Sequence, residues 1–247
     1  MVNKIKLLAL FFAVILISAC KIEKESKSAE TLHFSIAETL PVSEPSGLDL
    51  SFDEKAFWIV SDNNSTVYLI DSWGREVKSF KVDGEDLEGI TVIDEEKLAV
   101  ILERSREVLI VDTSGVELKR TKLNLTGDLN SGPEGITYDP EKKRFYILNE
   151  KDPVLLMTLD EELNEISRDT INYFKDASGI YVDTNNKQLW ILSDENQMIV
   201  KTDFTGKVSE KFKIKIRQPE GITLKKDGTQ IFIVSDFTNS LYVFNLE

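Results

Sequence analysis

The chain has 247 residues, 41% of them hydrophobic, and carries 43 acidic against 30 basic side chains for a net charge of −13. That apolar content supports a buried core and excludes wholesale disorder. The negative balance argues against nucleic acid and anionic lipid headgroups as partners, since both repel it. A single cysteine excludes disulfides within the chain and a thiolate metal site.

Lys4 and Lys6 form a positive start, and Leu7 to Ala19 is an uncharged, mainly apolar run. It falls short of the ~20 residues that span a bilayer, and it fits the core of a secretory signal. Residues 1–19 are therefore expected to be a signal peptide. The run ends Ile17-Ser18-Ala19-Cys20, which resembles the lipobox of bacterial lipoproteins. The resemblance implies lipid attachment at Cys20 and cleavage before it; an ordinary cleaved signal with a chance cysteine is the alternative. Several acyl chains together give firm attachment. The expected location is the cell envelope, outside the cytoplasm, on a plasma or outer membrane and held by lipid alone. Residues 20–30 are charged and lack aromatics, and read as a flexible tether.

Residues 31–247 are organised by a repeat. SGLDL (46–50), EGITV (88–92), EGITY (134–138), SGIYV (178–182) and EGITL (220–224) place glycines at 47, 89, 135, 179 and 221. Each phrase is followed by an apolar run ending in an acid: FWIVSD (57–62), LAVILE (98–103), FYILNE (145–150), LWILSD (189–194) and IFIVSD (231–236). A third run ends in Asp or Asn, with glycine turns at Gly74, Gly115 and Gly206, and an alternating fourth run closes most repeats. Four short β runs per repeat of about 43 residues is the pattern of a propeller blade. The fold class is all-β, a five-bladed β-propeller in one domain. The fifth repeat stops after its third strand, so Leu32–Leu40 is expected to supply the fourth and remove the open edges. A six-bladed ring needs another ~40 residues.

In such a ring the residues before the glycines line one mouth of the central channel: Ser46, Glu88, Glu134, Ser178 and Glu220. The acids ending the second runs, Asp62, Glu103, Glu150, Asp194 and Asp236, surround the same mouth. An acid in every blade reads as structural, accepting backbone N–H bonds of the next turn. The first ring breaks the symmetry, which points to one asymmetric ligand. Two carboxylates ~4 Å apart repel by about 4 kcal/mol at an effective dielectric of 20. Three converging glutamates therefore share a proton or bind a cation. Oxygen donors suit calcium. Glu88, Glu134 and Glu220 are the expected metal ligands, with Ser46, Ser178, Asp62, Asp194 and Asp236 as further contacts at the mouth. Zinc and copper are poor candidates, since His33 is the only histidine. No G-x-S-x-G motif is present, so no catalytic residue is assigned. Asp183-Thr184-Asn185-Asn186 reads as a hairpin turn on the opposite face. Trp58, Trp190 and Phe232 occupy equivalent second-run positions and read as packing between blades.

EPSGLDLSFDEKAFWIVSDNN (44–64), GPEGITYDPEKKRFYILNE (132–150) and QPEGITLKKDGTQIFIVSD (218–236) resemble the SdiA-regulated, YjiK-like proteins, relatives of NHL-type propellers. The resemblance implies a five-bladed envelope propeller with calcium near the channel and an uncharacterised activity. A more distant likeness to six-bladed calcium lactonases stops short of their asparagine ligands and catalytic histidine. Three functions follow. The first is a non-enzymatic, monomeric module that binds an envelope protein, peptide or glycan through its calcium-bearing face. The second is a calcium-dependent hydrolase of lactones or phosphoesters, and the third a structural lipoprotein stiffened by the metal.

Overall fold

The computed structural model describes residues 29–246. The expected signal peptide (1–19), Cys20, residues 21–28 of the expected tether and Glu247 lie outside them. Two strands precede the first repeat, β1 (Glu30–Thr31) and β2 (Ile36–Thr39). Blade 1 contains β3 (Pro45–Leu50), β4 (Ala56–Ser61), β5 (Thr66–Asp71) and β6 (Glu76–Lys81). Blade 2 contains β7 (Leu87–Val92), β8 (Lys97–Leu102), β9 (Glu107–Asp112) and β10 (Glu117–Lys122). Blade 3 contains β11 (Pro133–Asp139), β12 (Arg144–Asn149), β13 (Leu155–Asp160) and β14 (Glu165–Thr170). Blade 4 contains β15 (Gly179–Asp183), β16 (Gln188–Ser193), β17 (Met198–Thr202) and β18 (Val208–Lys213). Blade 5 contains β19 (Pro219–Leu224), β20 (Gln230–Ser235) and β21 (Ser240–Asn245). No helix occurs among the described residues.

Each blade is an antiparallel meander, and β2 pairs antiparallel with β21 as the fourth strand of blade 5. The N-terminal segment thus closes the last sheet, as its sequence leads one to expect. The paired part is shorter than Leu32–Leu40, however. β1 instead pairs in parallel with β18 at the outer edge of blade 4, Glu30 opposite Phe212. Glu30, read from sequence as tether, is therefore already in a strand. His33, expected in the closing strand, sits in the connection between β1 and β2.

The five inner strands close a circle: β3 touches β7, β7 touches β11, β11 touches β15, β15 touches β19, and β19 returns to β3. Apolar side chains lie between blades rather than on the axis, and each gap has its own buried cluster. Trp58 packs against Leu87, Ile90 and Leu98 of blade 2, and Trp190 against Ile222 and Ile231 of blade 5. Phe232 meets Phe57 of blade 1 edge-on at 4.9 Å. The equivalent second-strand aromatics are thus packing residues that lock neighbouring blades.

The turn aspartates explain the ends of the third strands. Asp71, Asp112, Asp160 and Asp203 each accept two backbone N–H bonds from the turn that follows. These turns use left-handed backbone, at Gly74 (φ 73°), Gly115 (φ 95°), Leu163 (φ 64°) and Gly206 (φ 80°). Asp183 accepts the N–H and the side-chain amide of Asn186, so the DTNN segment is a hairpin turn between β15 and β16.

Candidate metal centre at the channel mouth

Ser46, Glu88, Glu134 and Glu220 are each the second residue of an inner strand, and Ser178 directly precedes β15. In blades 1, 2, 3 and 5 the pairing of first with second strand slips by one residue across this position. The shift falls between Pro45 and Leu48, Leu87 and Ile90, Pro133 and Ile136, and Pro219 and Ile222. Two residues there oppose one, which is a β-bulge, and bulges re-aim a side chain. The glycine that follows permits the close approach of the neighbouring strand. A Cβ on Gly47 would lie 2.6 Å from the Glu88 carbonyl oxygen, and one on Gly179 the same distance from that of Glu220. The ring residues and their glycines thus form one local device, repeated around the axis. Below it the channel is nearly closed: the space among Glu88, Glu134, Ser178 and the ring glycines is about 10 Å³, room for roughly one water.

Around this ring the carboxylates fall into two clusters. Ligand oxygens of Asp62, Asp86 and Glu88 lie within 4.8 Å of one another, and so do those of Glu103, Glu134 and Glu150. Glu88 and Glu134 therefore belong to different triads, each completed by acids of the second ring. Glu220 stands apart from both triads, facing Asp194, Asp236 and Asp176. The two serines are occupied structurally. Ser46 Oγ donates to the Leu87 carbonyl at 2.5 Å, and Ser178 Oγ to the Pro219 carbonyl at 3.0 Å. Each bond ties a blade to the next.

Burial, and then mutual repulsion, shape the acid–base behaviour. Glu88 is held well above the ordinary carboxylate range by burial, with the charges of Asp62, Glu220 and Glu103 adding to it. Glu134 is raised in the same way, by burial and then by Glu150, Glu88 and Glu220. Burial and the charges of Asp194 and Asp236 bring Glu220 to about 8. Each of the three ring glutamates thus sits in a field of carboxylates, and Glu134 feels both of the others. Glu103 is pushed up to about 7 by burial and a side-chain hydrogen bond with Asp86, and Asp62 to about 6 by burial and acidic neighbours. Burial also raises Asp194 and Asp236. A mouth with this many raised carboxyls holds protons at neutral pH or exchanges them for cations.

Two basic residues already answer part of this charge. Arg104 Nε pairs with Asp86 at 2.9 Å, and Lys151 pairs with Glu150. They follow the second-ring acids of blades 2 and 3 only; Asn63, Glu195 and Phe237 stand at the equivalent places. Each triad thus has one local cation.

The second-ring acids depart from their expected structural role. Among the described residues Glu103 alone accepts a well-formed backbone N–H bond, from the start of the next blade, its Oε1 taking Gly132 at 2.8 Å; the Asp194 carboxylate lies toward the N–H of Gln218. Turn capping falls to the third-strand aspartates instead, because the second-ring side chains turn toward the mouth.

Asp86, Arg104 and Lys151 were not singled out from sequence. Asp86 lies two residues before the ring position, where the other blades carry Glu44, Gly132, Asp176 and Gln218. An alignment of repeats extended two residues upstream would have shown this third acidic set. Asp176 is spent on the fold: its carboxylate accepts Ser193 Oγ at 2.6 Å and the N–H groups of Asp194 and Glu195.

Five small sheets around an axis, with acids from different blades gathered at one mouth, define a five-bladed β-propeller whose acidic clusters could hold a metal ion. The chain belongs to the SdiA-regulated family, whose model matches residues 27–245. It is similar in structure to the glutaminyl cyclase of Myxococcus xanthus, with a TM-score of 0.70 at 12% identity, covering 88% of this chain and 99% of that one. A chain of a nidogen/laminin complex matches with a TM-score of 0.61 at 16% identity, covering 83% of this chain and 77% of the other. A streptogramin B lyase matches at 0.54 and 18% identity, covering 85% and 73%. At these identities the likeness is one of fold.

Proposed function

We propose that the protein is a lipid-anchored envelope module whose acidic mouth binds calcium and presents it to an extracytoplasmic protein, peptide or glycan, without catalysis of its own. The observation that carries the reading is the convergence of Glu88 and Glu134, each completed into a triad of oxygens within 4.8 Å. Carboxylate oxygens are the donors that a hard cation takes, and calcium accepts them in the looser geometry that side chains from different blades provide. Glu88 would hold an ion with Asp62 and Asp86, and Glu134 one with Glu103 and Glu150; Glu220, Asp194 and Asp236 would lower the potential at the mouth.

Calorimetric titration of the propeller with calcium tests the site: binding is expected in the wild type and a loss of tenfold or more in Glu88→Gln and Glu134→Gln. Equal affinity in both variants would remove these ligands. For the anchor, Cys20→Ala is expected to move the protein from the membrane to the soluble fraction. Continued sedimentation with membranes would refute it.

A hydrolytic reading has one observation in its favour: Glu103 at about 7 and Glu220 at about 8 lie in the range suited to a general acid or base beside a metal. It requires turnover of lactones or phosphoesters that chelation abolishes. No turnover across a broad panel leaves the binding role.

A further inference from the structure

The inner strands carry a second ring at their other end: Asp49, Thr91, Thr137, Tyr181 and Thr223. Threonine is the rule there, and Asp49 and Tyr181 break it. Asp49 is fully engaged. Its Oδ1 accepts Leu50 N–H at 2.8 Å and Thr223 Oγ at 2.9 Å, and its Oδ2 accepts Val92 N–H at 2.9 Å and Thr91 Oγ at 3.0 Å. One carboxylate thus joins blades 5, 1 and 2. Tyr181 makes no such bridge, and its hydroxyl has no partner among the described residues. Burial and then the nearby Asp49 charge hold this phenol above its ordinary value. Thr137, 3% exposed, accepts Val182 N–H at 3.1 Å, and its own hydroxyl hydrogen goes to no acceptor among the described residues.

Both hydroxyl-bearing residues line a cavity of about 220 Å³ at this second mouth, which receives the ends of all five inner strands. At its rim Phe52 is 49% exposed; Lys226 Nζ stands over its ring, 5.0 Å from the centre, and the rest of the ring is open to solvent. The rim is pre-ordered. Lys226 Nζ donates to the Phe52 carbonyl at 3.1 Å, and Asn185 Nδ2 donates to the Lys226 carbonyl at 2.8 Å. Loops of blades 1, 4 and 5 are thereby clasped.

We infer that this cavity is a second binding site, taking a single neutral sugar ring, either a free monosaccharide or the terminal unit of a glycan. The volume lies below the ~300–1,000 Å³ of drug-sized ligands, so it suits one ring. Four donors fill the roughly four acceptor positions of the Asp49 carboxylate, which leaves it none for a ligand cation, and the other two charged residues of the lining, Glu54 and Lys226, offset each other at 3.8 Å. A purely apolar ligand would leave the Thr137 and Tyr181 hydroxyls unmatched. Sugar hydroxyls donate and accept, and the C–H face of the ring packs on an aromatic such as Phe52. The near-closed axis separates this site from the acidic mouth, so its occupancy is independent of calcium.

Saturation-transfer NMR with glucose, galactose, mannose and N-acetylglucosamine, in chelator and again in calcium, tests the inference; choline and phosphate serve as cationic and anionic probes. At least one hexose is expected to bind with a dissociation constant in the ~mM range, equally in both buffers. Phe52→Ala, which removes an exposed side chain, should weaken it about tenfold, and Tyr181→Phe, which keeps the ring, about fivefold. Comparing N-acetylglucosamine with chitobiose distinguishes a free sugar from a glycan end. The inference is overturned if no sugar binds the folded wild type, if choline or phosphate binds in preference, or if both variants bind as the wild type does.

Discussion

Without a divalent ion, the acidic mouth should make the protein less stable as pH rises from 5 to 8. An unfolded chain loses its carboxyl protons near 3.8 for Asp and 4.5 for Glu, whereas folding holds Asp62 at about 6, Glu103 at about 7 and Glu220 at about 8. Glu88 and Glu134 are likewise held well above the ordinary value. The native state therefore binds more protons than the unfolded state across this window. Stability then falls with pH by about 1.4 kcal/mol per pH unit for each retained proton. With two protons retained between pH 5 and pH 7, the loss is about 5 kcal/mol. A domain of this size shifts by about 2–4 °C per kcal/mol, so Tm should drop by roughly 10–20 °C. Carboxylates whose native values are lowered, Asp53 (about 2), Asp71, Asp112 and Asp227 among them, act in the opposite sense. Their stabilisation is complete above about pH 5 and is lost as pH falls below it, which leaves the window clear. Calcium binds the deprotonated form, so its stabilisation should grow with pH and flatten the curve. The assay is thermal unfolding by circular dichroism at pH 5, 6, 7 and 8, in chelator and in millimolar calcium. A Tm that stays level or climbs with pH in chelator would refute the reasoning.

Glu134→Gln should flatten the fall of Tm with rising pH in chelator, because a neutral amide of the same shape replaces a buried carboxyl whose ionisation the fold opposes; differential scanning calorimetry across the pH series reads this directly. Asp49→Ala should cost about 3–5 kcal/mol by urea unfolding, since Val92 N–H and the hydroxyls of Thr91 and Thr223 lose their acceptor in a buried place. Gly47→Ala should destabilise by at least about 1–3 kcal/mol, because its methyl would meet the Glu88 carbonyl oxygen at 2.6 Å. Were Gly47→Ala to leave urea unfolding unchanged, the inner strands would not be packed as closely as described.

The blade count and the order of strands were legible because each repeat carries the same alternation, glycine and terminal acid, and because the fifth repeat lacks a strand that Ile36–Thr39 supplies. Equivalent aromatics at 58, 190 and 232 could be assigned to packing for a similar reason: a feature that recurs in several blades serves the ring. The mouth was legible as a place and not as a geometry. Sequence spacing put Glu88, Glu134 and Glu220 in one circle, but it could not tell that second-ring acids would divide two of them into separate triads. That division depends on how the loops before each inner strand are laid, and Asp86 comes from one of them. The opposite ring was missed. Asp49 and Tyr181 stand inside runs that read as ordinary strand, and only the close approach of blades 1, 2 and 5 joins the aspartate to Thr91 and Thr223.

The reading of the mouth as a calcium centre is tested most directly by a crystal structure grown in calcium, with anomalous difference density collected at a wavelength where calcium scatters. Peaks are expected among the carboxylates of Asp62, Asp86 and Glu88, of Glu103, Glu134 and Glu150, or of both. An acidic mouth free of anomalous density at millimolar calcium, with Glu88 and Glu134 directed away from the axis, would contradict it.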